Sequence, residues 1–302
     1  MFPKLFTIPA FELFGRHLGP FSLHMYGVLL VAALLAALWL AGRLAKKNGL
    51  DPQKVQDLGI ASIIAGLVGA KLLLIVVDFD QYRASPRALL DVLQSGGVFY
   101  GGLLGGIPVA WWYIRKHGLP LFSTLDVLAP AVALGQCIGR LACFAAGCCY
   151  GSSSTMPWSV IFHSEDAHAL VGVPLGVPLH PSQLYESFGT LLLLFLLLAV
   201  LKKRKFHGQV FALYLILYAI LRFSLEFFRG DVARGTVFGG ALSTSQFIAL
   251  IVVFLTLAAL PVIPNEDPFV VANGGFYRRW FNLVDDIQPM LDTVPTLKAT
   301  ED

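Results

Sequence analysis

Charge is what this sequence has least of. Asp, Glu, Lys and Arg make up 14% of its 302 residues, against roughly 25% in a soluble domain. Hydrophobic residues take 56%, where about 45–50% is usual, and the mean hydropathy is +0.71. That balance excludes an ordinary soluble enzyme and points to an integral membrane protein. The net charge of +3 is small and says nothing about nucleic acid; no nucleic-acid partner is expected. Residues 1–21 lack the basic start, apolar centre and small-residue cleavage site of a signal peptide. The first hydrophobic run therefore reads as a span. A repeat of fixed period, a low-complexity tract and a soluble domain between spans are all missing. Cysteine is scarce as well, with four residues, all between Cys137 and Cys149. Their spacing, C-x5-C-x4-CC, lacks the usual metal-ligand pattern, and the adjacent Cys148 and Cys149 are a poor start for chelation. No metal is expected there. Small packing residues are the plainer reading; a disulfide or an oxidation during turnover is the alternative, since the pair falls near the outer surface.

What the sequence does have is apolar runs. A span needs about 20 apolar residues, and seven runs qualify, at roughly 22–42, 58–77, 97–114, 123–146, 182–201, 208–229 and 241–263. The expected fold is an all-α polytopic membrane protein of about seven transmembrane helices. Alternate loops then lie on opposite sides. The set Arg43–Asp57, Arg115–Phe122 and Lys202–His207 holds ten Lys and Arg, including the run KKRK; the other set holds six over a much longer stretch. Loops rich in Lys and Arg stay in the cytoplasm. The N-terminus is thus expected outside and the C-terminus in the cytoplasm. Residues 1–264 form the transmembrane domain, and residues 265–302 a cytoplasmic tail in which FYRRWF, at 276–281, has the makings of a surface helix.

The few ionisable residues inside spans are costly and mark cavities or bundle interiors. With a rise of about 1.5 Å per residue, Lys71, Arg140 and Arg222 all fall in the outer half of the membrane. Span 1 adds His24 and Tyr26 at the same level, and span 3 adds Tyr100. Span 5 adds His180, Gln183, Tyr185 and Glu186. On span 6, Tyr218, Arg222, Glu226 and Arg229 form one stripe, and Glu226 can pair with both arginines. Gln136, Arg140, Cys143 and Gly147 share a face of span 4. Two arginines at one depth suit a phosphate, whose oxygens match the guanidinium fork. The expected site is therefore a cavity open to the outer leaflet that takes an anionic group. Each residue also has a plainer reading. Lys71 can snorkel, Arg140 can form an ion pair with Glu226 or Glu186, and Tyr26, Tyr185 and Tyr218 can be interfacial aromatics.

Five segments occur in order: HMYG at 24–27, GG-x-x-YGG at 96–102, GRLACF…G…YG at 139–151, HPSQLYE at 180–186 and LRFSLEFFR at 221–229. In these the chain resembles the bacterial prolipoprotein diacylglyceryl transferases, over nearly all of its length up to about residue 263. The resemblance implies a transferase of the bacterial plasma (inner) membrane with its active site facing the outer leaflet. Such an enzyme moves a diacylglyceryl group from phosphatidylglycerol to the cysteine thiol of a prolipoprotein signal peptide, forming a thioether and releasing glycerol phosphate. By motif position, Arg140 and Arg222 correspond to the family arginines tied to head-group binding and catalysis. Tyr26, Tyr218, Glu226 and Gly151 correspond to its other signature residues. Two departures stand out. Where the signature has GRLGNFxNxExxG, this chain has Cys143, Ala146 and Cys148. Where span 3 has a histidine, it has Tyr100.

The reaction expels a phosphate monoester and needs a thiolate. Arg140 and Arg222 would stabilise the leaving group, supported by Lys71 or Arg229. Candidate bases are Tyr100, which position ranks first, then Tyr26, Glu226 and His24. Phosphatidylglycerol contacts are expected from Arg140, Arg222, Lys71, Tyr218, Gly151 and His24. His180, Gln183, Tyr185, Glu186, Arg229 and Cys143 are expected in support. No cofactor is implied. Two alternatives remain at this stage: a paralogous lipid transferase with another acceptor, and a non-catalytic phospholipid-binding membrane protein.

Overall fold

The structure, a computed structural model, describes residues 4–8, 11–13, 16–18, 21–79, 82, 97–230 and 235–260. The expectations for residues 265–302, and for most of the loop 78–95, lie outside the described residues. Each of the seven apolar runs coincides with a helix. These are α1 (Met25–Lys47), α2 (Pro52–Val77), α3 (Phe99–His117), α4 (Leu121–Ala146), α6 (Ser182–Lys202), α7 (Gln209–Leu225) and α8 (Thr244–Ala259). A short α5 (Glu165–Val171) sits in the loop before α6, and a 3-10 turn, Glu226–Phe228, continues α7. Five helices (α1, α2, α4, α6 and α7 with its turn) are long and apolar enough to cross a membrane. The chain is thus a mostly helical, multi-pass membrane protein. Of the other two runs, α3 has 19 residues with Pro108 inside, and α8 has 16. Short antiparallel pairs accompany the helices. The N-terminal strands β1 (Lys4–Ile8), β2 (Phe11–Leu13), β3 (Arg16–Leu18) and β4 (Phe21–His24) pair as β1–β4 and β2–β3.

Local chemistry sets the helix ends. Asp51 caps α2 by accepting from the N–H groups of Gln53 and Lys54, with Pro52 at the first helical position. Ser243 and Gln246 form a capping box on α8. Gly147, in the left-handed region at φ 81°, closes α4.

The main core lies among α1, α4, α6 and α7, around Ala45, Val127, Ala133, Leu197 and Val210, all fully buried. A carboxylate crosses it. The buried Asp126 carboxylate accepts the N–H groups of Gly208 at 2.8 Å and Phe211 at 2.9 Å, with Arg204 3.5 Å away. It thereby caps α7 from a neighbouring helix. The α2–α3 pair packs differently, backbone against backbone. A Cβ on Gly69 would strike the Gly101 carbonyl, and one on Gly105 the Ala65 carbonyl, so small residues are what allow the two helices to meet. The Val98 N–H donates to Ala70 O at 3.1 Å. This contact sets Lys71 and Tyr100 at one level.

Candidate active site

Antiparallel connections bring the end of α4, the start of α6, the end of α7 and the start of α8 to one end of the bundle. Their polar side chains meet on Glu186. Its side chain is 3% exposed, and Oε1 lies 2.9 Å from Arg140 Nη2. The Tyr218 hydroxyl donates to the same oxygen at 3.1 Å, and Tyr218 stacks on Tyr214. Oε2 lies 4.0 Å from Arg222 Nη1. The other arm of Arg222, Nη2, donates to Glu226 Oε2 and to Ser245 Oγ, each at 3.3 Å. Buried Nη1 hydrogen-bonds no group among the described residues, and the same holds for Gln136 Oε1. A guanidinium carries five N–H donors, so both arginines keep donors for a further acceptor. Glu186, named from sequence only as support, is the hub of the cluster, and Ser245 was missed altogether. The HPSQLYE motif contained the signal for the first. A polar residue in the first turn of the last apolar run was the signal for the second.

The Glu226–Arg222 pair forms as its spacing predicts. The Arg229 side chain turns elsewhere and hydrogen-bonds the Cys149 sulfur. Lys71 and Tyr100 remain with the α2–α3 pair; neither is among the side chains described on Glu186. Tyr100 is 49% exposed and Tyr26 41%. Tyr26, two residues after the N-cap His24, lies within electrostatic reach of Arg140 and of Cys143, Cys148 and Cys149.

A small folded cap, residues 147–180, covers this end of the bundle. Its strands β5 (Val160–Ile161) and β6 (Pro178–Leu179) pair, and Phe162, Ala167, Val173 and Leu179 form its own core. Residues 150–152 run between His180 and Phe228. Gly151 N–H donates to His180 O at 3.0 Å, and Ser152 N–H donates to Phe228 O at 2.9 Å. A Cβ at Gly151 would meet both of those carbonyls, which requires glycine there. The Tyr185 hydroxyl accepts from Trp158 Nε1 at 2.7 Å and lies 3.1 Å from His180 Nδ1. Phe228 packs edge-on against both rings.

The cysteines depart from what their spacing implies. The sulfurs of Cys143, Cys148 and Cys149 all lie within 4.8 Å of one another. Two backbone features close the loop: Gly147 at φ 81° and Cys149 at φ 60°. The second is an uncommon conformation for a residue with a Cβ. It lets two consecutive side chains face one point. The start of α6 holds the loop in place, with Ser182 Oγ donating to Cys149 O at 2.8 Å and Gln183 Nε2 to Cys148 O at 2.7 Å. Hydrogen bonds from Cys143 and Cys148, with the Arg229 guanidinium alongside, hold the Cys149 thiol well below its usual pKa. Cys137 stands apart, 3.4 Å from Ser187 Oγ. None of the four is in a disulfide.

Comparison with known proteins agrees with these segments. The prolipoprotein diacylglyceryl transferase family model matches residues 14–262. A phosphatidylglycerol–prolipoprotein diacylglyceryl transferase of Clostridium tetani is 38% identical over 245 residues, 81% of this chain and 93% of its own. One from Vibrio campbellii is 36% identical over 236 residues, 77% of this chain and 83% of its own. Phosphatidylglycerol–prolipoprotein diacylglyceryl transferase 2 of Clostridium perfringens is 32% identical over 241 residues, 80% of this chain and 89% of its own. An ion-paired arginine cluster at one end of a multi-pass bundle and this match over most of the chain lead to one assignment: the chain belongs to the prolipoprotein diacylglyceryl transferase family.

Proposed function

We propose that this chain transfers the diacylglyceryl group of phosphatidylglycerol to the cysteine thiol of prolipoprotein signal peptides, and that it does so at the Glu186 cluster. The observation that carries the placement is the pair of arginines fixed on one buried carboxylate, with Arg222 Nη1 left unbonded among the described residues. In this reading Arg140 and Arg222 hold the phosphate and stabilise the charge that grows on it as the C–O bond breaks. Glu186 and Glu226 aim the two guanidinium groups, and Tyr218 fixes Glu186. Tyr26 and His24 line the mouth, Lys71 and Tyr100 line the neighbouring α2–α3 pair, and Arg229 and Gly151 join the cap to α7. His180, Gln183 and Tyr185 brace the cap. With seven spans and the N-terminus outside, this reading puts the cluster in the outer leaflet of the bacterial inner membrane. Both substrates have membrane-embedded parts, so they enter sideways between helices. Glycerol phosphate and the thioether-linked signal peptide leave.

The test is transfer of labelled diacylglyceryl from phosphatidylglycerol to a lipobox peptide by the purified protein in detergent. The wild type is expected to lipidate the peptide. Arg140→Ala is expected to lower turnover about 100–1000-fold, the usual cost of losing one preorganised charge-stabilising donor. Consumption of phosphatidylglycerol without peptide modification would assign a different acceptor. No consumption at all would refute the reading.

A further inference from the structure

Three thiols stand beside the arginine cluster and have no part in the mechanism above. We propose that Cys143, Cys148 and Cys149 bind one zinc ion whose fourth position takes the thiol of the incoming prolipoprotein cysteine. The inference rests on the transfer reading, because it supplies the activated nucleophile which that reaction needs.

The geometry fits. Tetrahedral zinc holds sulfur at about 2.3 Å, which places bound sulfurs about 3.8 Å apart. The three sulfurs already lie within 4.8 Å of one another, so each pair closes by about 1 Å at most. Three protein ligands with one open position is the pattern of catalytic rather than structural zinc. The loop is built for convergence. Cys149 keeps its left-handed backbone, a conformation that persists only where its surroundings enforce it. Ser182 and Gln183 clamp the carbonyls of both adjacent cysteines. Three thiolates and a divalent ion sum to a single negative charge, and the Arg229 guanidinium at Cys149 offsets it.

The placement also fits the chemistry. A thiol that coordinates zinc loses its proton outright. Here that proton would pass to water at the mouth, so no side-chain base is needed. The bound sulfur then attacks the glyceryl carbon. A C–S bond forms, the C–O bond to phosphate breaks, and the electron pair leaves on the phosphate oxygen. Cys143 follows Arg140 by three residues on α4, so sulfur and phosphate meet about one helical turn apart. No oxidation or reduction occurs, and the neutral thioether is a weak ligand that departs.

X-ray absorption on the intact protein in detergent, loaded with zinc, tests this directly. Three sulfur ligands are expected, rising to four when a lipobox peptide is added and staying at three with the Cys→Ser peptide. Cobalt-loaded protein should show a thiolate charge-transfer band that strengthens with the same peptide only. Cys143→Ser, Cys148→Ser and Cys149→Ser should each bind at least tenfold less zinc, while Cys137→Ser should retain it. Metal-free protein that transfers diacylglyceryl at the wild-type rate would overturn the proposal and leave the transferase reading intact. So would zinc that no cysteine variant loses, a sulfur count unchanged by peptide, or copper bound in place of zinc. Conversely, full zinc binding with the rise to four sulfurs, but no lipid transfer, would uphold the site and refute the proposed donor.

Discussion

Replacing Glu186 by glutamine separates a phosphate site from a merely structural ion-pair network. The side chain keeps its shape and can still accept from Tyr218. It loses the charge that faces Arg140 at 2.9 Å and Arg222 at 4.0 Å. Breaking a buried pair by removing one partner costs about 3–5 kcal/mol, so the melting temperature in detergent should fall. The kinetic effect has two parts of opposite sign. Arg140 and Arg222 balance Glu186 and Glu226 in formal charge, and the substitution leaves this set with an excess of one positive charge. A phosphate about 5 Å from the lost carboxylate escapes roughly 3 kcal/mol of repulsion at an effective dielectric of about 20. If looser arginines return half of that, KM for phosphatidylglycerol falls about tenfold. Turnover moves the other way. Guanidinium groups no longer aimed at the developing charge cost about 100-fold in kcat, as for a misplacement of about 1 Å. The assay is initial-rate transfer in mixed micelles with the phosphatidylglycerol fraction varied, normalised to folded protein. A raised KM with unchanged kcat would refute the placement of the phosphate, and loss of folded protein with kcat per molecule unchanged would make Glu186 structural only.

Other substitutions probe single contacts. Arg222→Lys keeps the charge but cannot serve Glu226, Ser245 and a phosphate together, so kcat/KM should fall about 10–100-fold; equal activity would refute the fork. Asp126→Ala strips the carboxylate that caps α7 and leaves two backbone N–H groups buried; thermal unfolding in detergent should show a loss of about 2–4 kcal/mol. Gly151→Ala pushes a Cβ onto His180 O and Phe228 O; protease should then cleave within residues 147–180 well before the helices. Trp158→Phe removes a 2.7 Å bond to Tyr185 and should lower stability by about 1 kcal/mol, with transfer retained.

Hydropathy located seven apolar helices, five of them long and apolar enough to cross a membrane, because a bilayer imposes both length and composition on a span. Counting residues along them put Arg140 and Arg222 at one depth, and helical spacing gave the Glu226–Arg222 pair. Each of these is a local property. Glu186 as the hub was not legible, because its partners come from helices 46 and 36 residues away in sequence. The convergence of the three cysteine sulfurs was not legible for a related reason. Spacing describes an ordinary backbone, and Cys149 has φ 60°. The packing of α3 on α2 was not legible either, because it runs through glycines that no periodicity rule weighs. The cap 147–180 carries no span-length hydropathy signal, since its core is four residues scattered between Phe162 and Leu179 and its elements are only two to seven residues long.

The Asp126 carboxylate has a consequence at the other end of the bundle. Arg140 follows Asp126 by 14 residues, and Arg222 follows Gly208, whose N–H Asp126 accepts, by 14 as well. At about 1.5 Å per residue both intervals measure roughly 21 Å. The two helices are thus pinned together at a common origin and graduated alike, and the two cations stand level because both are read off from that origin. Inserting one residue between anchor and arginine in either helix would shift one guanidinium by about 1.5 Å and swing it about 100° off the site. The same insertion on the far side of the anchor would leave the pair aligned. Alignment of the two arginines is set some 21 Å away, by a side chain that touches neither of them.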